Sequence, residues 1–320
     1  MQTTSRNILL DILKVIAAIL IICVHCKFLF EYTKVGHHVT SNGIFRIPIP
    51  FFFTINGFFL YTVFQNDRMK FWVKRVGLLY LIWMLIFSYF WILPVYEEPL
   101  KIIPTALFGF THLWYLAALF LGGILLYQLR KLSNTVLIVL ALLLYLTGYT
   151  IQILSNFNVF TEPAVIVKIL DFQPIHRNFL FFALPFLSIG YVMRRSNFHL
   201  KLKKTQVSIL LVFSILLLIT ESLTNYYINP GAIFNMSISF LGLGPILLIT
   251  AFSFKVNSNF NSKLLSSYSI ALYLVHPLVL VLIYQFFNLD SITLTLVTVL
   301  LSGILSYLLI LLNKKIKYIL

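Results

Sequence analysis

Long runs of apolar residues alternate with short polar segments along nearly the whole chain. Each run has about 17–25 residues, the length that an α-helix needs to cross the hydrocarbon core of a bilayer. The pattern therefore predicts ten transmembrane helices joined by short loops. They lie near residues 8–29, 44–64, 76–94, 113–129, 135–153, 178–193, 206–228, 233–253, 268–286 and 292–312.

The composition supports this interpretation. Hydrophobic residues make up 60% of the 320 residues, charged residues make up 10%, and the mean hydropathy is +0.95, well beyond the range of soluble domains. The net charge of +15 does not indicate nucleic-acid binding, because the basic residues lie between apolar runs and not on one basic surface. We therefore expect an all-α, polytopic membrane protein with one transmembrane domain over residues 1–320 and no nucleic-acid partner.

The distribution of Lys and Arg predicts the orientation. Short cytoplasmic loops collect these residues, and with a cytoplasmic N-terminus seventeen fall on inner segments, six on outer segments and Lys14 within a span, so that both termini are cytoplasmic. The inner residues are Arg6, Arg68, Lys70, Lys74, Arg75, Arg130, Lys131, Arg194, Arg195, Lys201, Lys203, Lys204, Lys255, Lys263, Lys314, Lys315 and Lys317. The outer residues are Lys27, Lys34, Arg46, Lys101, Lys168 and Arg177.

Three ionisable residues, Asp11, Lys14 and His25, lie on one stripe of the first predicted helix. At 100° per residue, Lys14 and His25 are about 20° from eclipsed and about 16 Å apart along the axis. Such groups are costly inside a bilayer unless they face protein or a wet cavity, so they indicate a functional site. We predict that Asp11 and Lys14 bind substrate, since a positive Lys14 in a wet inner cavity could hold an anionic cofactor. Glu221 lies at a depth similar to that of His25, and we predict that His25 is a general base and Glu221 orients it.

Each of these residues also has a structural interpretation. His25 can be hydrogen-bonded between helices, Asp11 and Lys14 can neutralise each other at i and i+3, and Glu221 can bind Asn225 or a neighbouring backbone group. Cys23 and Cys26 have too few neighbouring ligands for a metal, so we expect no metal site and interpret both as small apolar residues.

Six strings in order along the chain resemble the membrane-bound acyltransferase 3 family. They are RNILLDILKVIAAILIICVH at 6–25, FFFTINGFFL at 51–60, WVKRVGLLYLIW at 72–83, HLWYLAAL at 112–119, HRNFLFFALPFLSIGY at 176–191 and SSYSIALYLVHPLV at 266–279. The fourth and fifth are most similar to the branch with the enterobacterial common antigen O-acetyltransferase and the membrane half of the vancomycin-resistance serine racemases.

The resemblance implies transfer of an acyl group, usually acetyl from cytoplasmic acetyl-CoA, to a hydroxyl of a surface glycan or lipid-linked saccharide. His25 matches the histidine of the family's first-helix motif, and Lys14 stands where that motif has arginine. By the resemblance, six further positions in matching strings are candidates for substrate binding: Asn56, Arg75, His112, Trp114, Arg177 and Asn178. Tyr273 and His276 also lie in a matching string, and the resemblance gives them no role. A cavity from Lys14 toward His25 would carry the acyl group between the two faces of the membrane.

Two other classes of function stay open at this point. Buried polar groups within ten helices also suit a transporter or export component for a solute or polysaccharide, and a third possibility is a structural subunit that anchors other glycan enzymes. We expect the enzyme, with acetyl-CoA as donor, a surface glycan as acceptor and the bacterial cell membrane as location.

Overall fold

The computed structural model describes residues 6–254, 256 and 262–320. Throughout these residues the chain forms helices and loops without a β-strand, which confirms the predicted all-α class. Lys255, counted above among the inner basic residues, lies outside the described residues. The fourteen α-helices of the described part are α1 (Ile8–His25), α2 (Lys34–Ser41), α3 (Pro48–Gln65), α4 (Met69–Ile86), α5 (Ser88–Glu97), α6 (Ile102–Phe108), α7 (Trp114–Leu129), α8 (Asn134–Asn156), α9 (Ala164–Asp171), α10 (Leu184–Arg195), α11 (Lys204–Ile228), α12 (Phe240–Ser253), α13 (Lys263–Phe286) and α14 (Ser291–Asn313).

Seven helical segments of the described residues are long and apolar enough to cross a membrane, as expected of a polytopic membrane protein. An eighth candidate is the pair α4 and α5, which is bent by 75° at its break. The seven segments are Ile8–His25, Lys34–Gln65, Thr111–Leu129, Asn134–Asn156, Lys204–Ile228, Lys263–Phe286 and Ser291–Asn313.

Two of the ten predicted spans contain shorter helices. The span predicted at 178–193 consists of a π-helical turn, Phe179–Ala183, followed by the 12-residue α10. In the span predicted at 233–253, the chain stays largely irregular up to Ser239 and only then forms the 14-residue α12. Each helix is shorter than the roughly 20 residues of a straight span. The number ten and the side on which the termini lie therefore remain predictions.

The helices form two compact units, each assembled from separate parts of the chain. The first unit comprises the described residues of Met1–Phe52, His199–Tyr318 and Leu320, and its complete helices are α1, α2 and α11 to α14. The second unit comprises Phe53–Phe198 and Ile319, and its complete helices are α4 to α10. His25 and Glu221, the predicted base and the residue predicted to orient it, thus belong to the first unit. The string that contains Arg177 and Asn178 belongs to the second unit.

Helices α1, α13 and α14 pack together in the first unit around small and aliphatic side chains. Ala18 and Ile22 of α1 and Leu272 and Leu280 of α13 are almost fully buried in this core. Helix α14 presents a buried stripe of hydroxyl residues, and residues of this size let helices approach closely in a membrane. The stripe consists of Ser291, Thr295, Thr298, Ser302 and Ser306.

The loop after α1 is tied to the first turn of α14. Asp290 precedes this helix and accepts hydrogen bonds from the backbone amides of Ile292 and Thr293 at 3.1 and 3.2 Å and from the Tyr32 hydroxyl at 2.9 Å. The hydrogen bonds from Thr293, and next those from Tyr32 and Ile292, lower the pKa of Asp290 to about 2. Glu31 accepts from the Ser291 amide at 3.1 Å, so two carboxylates satisfy the amides that begin α14.

Aromatic side chains fill the core of the second unit. The rings of Phe53 and Tyr115 have centroids 4.5 Å apart, and Phe186 lies 5.5 Å from Phe182 and 5.2 Å from Tyr145. These separations fall in the range in which tilted and edge-to-face ring pairs attract each other beyond their buried area. Helices α3, α7, α8 and α10 are therefore joined through aromatic contacts.

Two glycines allow α3 and α10 to cross in backbone contact. A Cβ atom added at Gly57 would lie 2.0 Å from the carbonyl oxygen of Leu187, and one added at Gly190 would lie 2.0 Å from the carbonyl oxygen of Thr54. No side chain fits at either distance. Glycine at both positions is therefore a requirement of the packing between these two helices.

We predict that Gly57→Ala separates α3 from α10 and lowers the free energy of unfolding by about 1–3 kcal/mol or more, the usual cost of overpacking. Thermal unfolding of the purified protein in detergent measures this change. Gly231→Ala is the matched control, since its Cβ would have its nearest neighbour at 3.9 Å and should leave the midpoint unchanged. Equal midpoints for the two variants would contradict the backbone contact.

Candidate active site

Asp11 lies in the first turn of α1 and is the buried centre of an ionic cluster. Its Oδ1 accepts a hydrogen bond from Lys14 Nζ at 3.0 Å, and its Oδ2 accepts from Arg6 Nε at 3.0 Å and from Ser262 Oγ at 2.6 Å. Only 2% of the residue is exposed. A carboxylate removed from water needs partners of this kind, because its desolvation costs several kcal/mol. We call Arg6, Asp11, Lys14 and Ser262 the Asp11 cluster.

The Asp11 cluster shows how Lys14 is accommodated. The i,i+3 ion pair with Asp11, the structural interpretation considered for these residues, does form. Lys14 Nζ also lies 3.5 Å from Ser266 Oγ of α13, and 14% of the side chain is exposed. Two cations around one carboxylate leave the cluster with a formal charge of +1, so the positive character expected at Lys14 is kept while the ammonium is anchored.

His25 ends α1 and lies beside a second histidine. Its side chain is exposed, and its ring centroid is 5.1 Å from that of His276 on α13, with the planes tilted by 43°. His276 is fully buried, and its Nδ1 lies 3.1 Å from the carbonyl oxygen of Leu272. Since a carbonyl only accepts, Nδ1 of His276 carries the proton in that hydrogen bond. One face of His25 is therefore set against a buried imidazole whose orientation is fixed.

The polar stripe of α1 faces a second polar stripe. Lys14 meets Ser266, and His25 meets His276, so both contacts are made with α13. The spacing of 4, 3, 4 and 3 places the polar residues of this second stripe on one helix face. This repeat was the signal in the sequence that could have identified His276 as the neighbour of His25. The stripe comprises Ser262, Ser266, Ser269, Tyr273 and His276.

Glu221 does not orient His25. Its Oε1 accepts from the Ile238 amide at 2.8 Å, and its Oε2 accepts from the amide and hydroxyl of Ser239 at 3.0 and 2.8 Å. The carboxylate thus caps the start of α12, where amides lack partners within the helix. The structure therefore shows the structural interpretation considered for Glu221, in which its carboxylate binds neighbouring backbone groups. A similar depth in the membrane was a poor guide, because depth does not determine the direction in which a side chain points.

Three further candidates belong to the second unit. Asn56 donates to the Tyr115 hydroxyl at 3.0 Å, which joins α3 to α7. Arg75 is exposed on α4. His112 is 97% buried, with its ring 4.8 Å from that of Phe87 and its Nδ1 3.2 Å from the Thr111 hydroxyl. These contacts support structural roles for Asn56 and His112 and leave Arg75 available on the surface of the second unit.

Arg177, Trp114 and Asn178 come together in the second unit. The guanidinium carbon of Arg177 lies 4.7 Å from the ring centroid of Trp114, and the Arg177 Nε atom is inaccessible to solvent. These three residues, with Leu107, Phe108, Ala118 and Phe179, line a small recess, here named the Arg177 recess. The structure thus groups three predicted substrate-binding residues around one opening.

Asn178 fixes the chain at this recess. Its Oδ1 accepts from the amides of Leu180 and Phe181 at 2.8 and 3.0 Å, and its Nδ2 donates to the carbonyls of Pro174 and Ile175 at 3.0 and 2.9 Å. Both ends of the amide are used by the turn that begins the π-helical segment. Asn178 therefore holds the backbone beside Arg177, and its side chain is committed to that turn.

The two cysteines are buried and unoxidised, both in the first unit. Cys26 belongs to the core formed by α1, α13 and α14, as expected for a small apolar residue. Within the described residues, no group of three His, Cys, Asp or Glu side chains is placed to hold a metal ion.

Comparison with known proteins assigns nearly the whole chain to one type of domain. The model of the acyltransferase 3 family, described as an acyltransferase domain, matches residues 7–312. No solved structure matches the chain.

Three curated relatives carry racemase names. An amino-acid racemase of Enterococcus faecalis is 24% identical over 86% of this chain and 41% of that relative, and another from the same species is 27% identical over 60% of this chain and 29% of the relative. A serine/alanine racemase of Enterococcus gallinarum is 27% identical over 85% of this chain and 40% of the relative. The chain thus spans less than half the length of each.

We predict that Asp11→Ala lowers the free energy of unfolding by about 3–5 kcal/mol, because it leaves the largely buried Lys14 without its carboxylate. Denaturation of the purified protein in mixed micelles measures the loss. Glu98→Ala is the control, since the Glu98–Lys101 pair at 2.7 Å is exposed and should contribute only about 0–1 kcal/mol. Similar losses in the two variants would contradict the central role of Asp11 in the cluster.

Proposed function

The chain belongs to the acyltransferase 3 family, and on this basis we propose that it is a membrane-embedded O-acyltransferase using acyl-CoA. The acyl group, acetyl in the simplest case, passes from the thioester to a hydroxyl of a surface or exported glycan or a lipid-linked saccharide at the cell membrane. The observation that carries the proposal is the family match together with the position of His25, exposed at the end of α1 and backed by His276.

His25 serves in this proposal as the general base. It accepts the proton of the glycan hydroxyl while the oxygen attacks the thioester carbonyl carbon, and the carbon–sulfur bond then breaks. The proton passes from His25 to the departing thiolate, so that the products are the glycan ester and free CoA. A thioester is already activated, so the protein mainly has to align the two substrates and manage this one proton.

His276 takes the supporting place that was predicted for Glu221. It is fully buried, and its hydrogen bond to Leu272 fixes its ring, so it offers a rigid surface against which His25 can be held. A base held in one orientation loses less entropy when it reaches the reacting hydroxyl. This contact supports a positioning role for His276.

The Asp11 cluster is the proposed site for the phosphates of the donor. It lies on the same helix as His25, at the end predicted to be cytoplasmic, and carries a formal charge of +1. Arg6, which is 43% exposed, has a planar fork suited to phosphate, whereas Lys14 is a compact positive charge held by Asp11. Between this cluster and His25, α1 packs closely against α13, so the route of the acyl group from Lys14 toward His25 stays a prediction.

The names of the curated relatives favour one second candidate, the handling of an amino acid such as serine or alanine. In that case this domain would move or bind an amino acid in the membrane and would not use acyl-CoA. The polar stripes of α1 and α13 are compatible with such a path as well, since ionisable residues inside membranes mark solute pathways and catalytic sites alike.

The experiment that separates these functions measures release of free CoA. We expect the purified chain in lipid nanodiscs to consume acetyl-CoA when a surface glycan preparation is added, and His25→Ala to reduce the rate about 10²–10⁴-fold, the usual contribution of a general base. Lys27→Ala, an exposed change two residues away, is the control and should keep the wild-type rate.

Other outcomes would contradict the proposal in distinct ways. Transport of labelled serine or alanine without consumption of acetyl-CoA would replace it with the second candidate. A wild-type rate in His25→Ala at equal expression would remove His25 from the chemistry. Neither activity in a folded protein would favour a structural subunit.

A further inference from the structure

The chain between α4 and α7 folds back on itself within the second unit. Helix α5 has ten residues and is bent by 75° from α4, and α6 follows after a 3₁₀ turn at Pro99–Lys101. A helix of ten residues is about 15 Å long, so at this angle α5 advances only about 4 Å along the direction of α4. Residues 88–108, here named the α5–α6 hairpin, therefore leave the end of α4 sideways.

The α5–α6 hairpin returns to a level that α4 has already passed. The Tyr80 hydroxyl donates to the carbonyl oxygen of Ala106, in the last turn of α6, at 2.8 Å. Tyr80 lies about 9 Å along the helix axis before Ile86, the last residue of α4. The end of α6 is thus beside α4, and the hairpin stays near one end of that helix, the end predicted to be outer.

Side chains satisfy backbone groups at the two places where these helices end. The Trp91 indole donates to the carbonyl oxygen of Met84, in the last turn of α4, at 2.9 Å, and Tyr80 serves Ala106 at the end of α6. Carbonyls in the last turn of a helix lack amide partners within that helix. Water binds such groups in an aqueous loop, whereas in lipid the protein has to supply the donors.

The hairpin exposes apolar side chains on both arms. Each residue of α5 and α6 is at least partly exposed in the described structure, with Tyr89 and Tyr96 83% exposed and Ile103 63% exposed. The sequence has no charged residue in the arms, 88–96 and 102–108. The charged residues of the hairpin lie together at its corner and are Glu97, Glu98 and Lys101. Apolar surface of this kind marks contact with a membrane or with another protein.

Two features favour lipid as the partner of this surface. Leu81 and Leu85 of α4 are 56% and 70% exposed, so the apolar surface of the hairpin continues that of the candidate span from which it arises. Tyr89, Trp91 and Tyr96 carry aromatic rings with polar tips, and such side chains are enriched where the hydrocarbon of a bilayer meets water. The arms and the corner therefore match the two sides of that boundary.

We propose that the α5–α6 hairpin lies in the interfacial layer of the bilayer on the predicted outer side, with its apolar arms in lipid and its charged corner in water. The partner of this surface is the lipid of that leaflet. The span predicted at 76–94 then ends near Phe87, and the segment that follows is bound to the membrane. This inference goes beyond the proposed function and does not depend on it.

Spin labels on single introduced cysteines test the position of the hairpin. The variants Tyr89→Cys, Ile103→Cys and Glu98→Cys are labelled with a nitroxide in the full chain, in phosphatidylcholine nanodiscs. The wild type, whose two cysteines are buried, measures background labelling. Power-saturation electron paramagnetic resonance then measures collision of each label with oxygen, which concentrates in lipid, and with charged chromium oxalate, which stays in water.

We expect chromium oxalate to reach the labels of Tyr89→Cys and Ile103→Cys at least about 10-fold less often than that of Glu98→Cys, since a transfer penalty of only about 1.4 kcal/mol gives this factor. Oxygen should reach the same two labels readily. Leu300→Cys, on the exposed apolar surface of α14, is the reference for lipid. Lys203→Cys, exposed just before α11, is the reference for water.

Two results would overturn the inference. If chromium oxalate reaches the arms as often as it reaches Lys203→Cys, the hairpin is an aqueous loop. If both reagents reach the arms far less often than the more accessible reagent reaches Leu300→Cys, protein covers the hairpin, from a second copy of the chain or another partner, and the assignment to lipid is wrong.

Discussion

The structure depends on the cost of leaving a polar group without a partner inside hydrocarbon. That cost amounts to several kcal/mol per group, so each such group must be satisfied within the protein. Asp11 meets the requirement with three partners on two segments of the chain, and this one carboxylate joins the start of α1 to the region that begins α13. The same requirement explains why the polar residues of α1 face α13, since the lipid could not have satisfied them.

Irregular backbone inside the membrane domain follows the same rule. Residues 234–237, shortly before α12, are buried without being helical, and Glu221 supplies acceptors for the amides of Ile238 and Ser239, which follow them. The turn before α10 is held in a similar way by Asn178. A broken helix is tolerated in a membrane only where protein groups replace the missing hydrogen bonds. The breaks thus occur where a polar side chain is available, and one of them places Arg177 beside Trp114.

Glu221 and His25, the pair predicted to act together, have different places in the structure. Glu221, like Asn178, binds backbone with both ends of its side chain and is committed to the fold. His25 ends its helix with an exposed ring. A general base has to reach the reacting hydroxyl, so His25 fits its proposed role better than Glu221 would.

The sequence by itself determined the all-α membrane class, the face shared by Asp11, Lys14 and His25, and the family, because these depend on hydrophobic periodicity and on residue order along one chain. Only the tertiary structure decided that His25 meets His276, that Glu221 caps α12, and that Trp114 stacks on Arg177. It also reduced two predicted spans to short helices. The physical reason is that such contacts depend on the rotation of each helix about its axis and on which backbone groups lack partners, and packing between segments distant in sequence sets both.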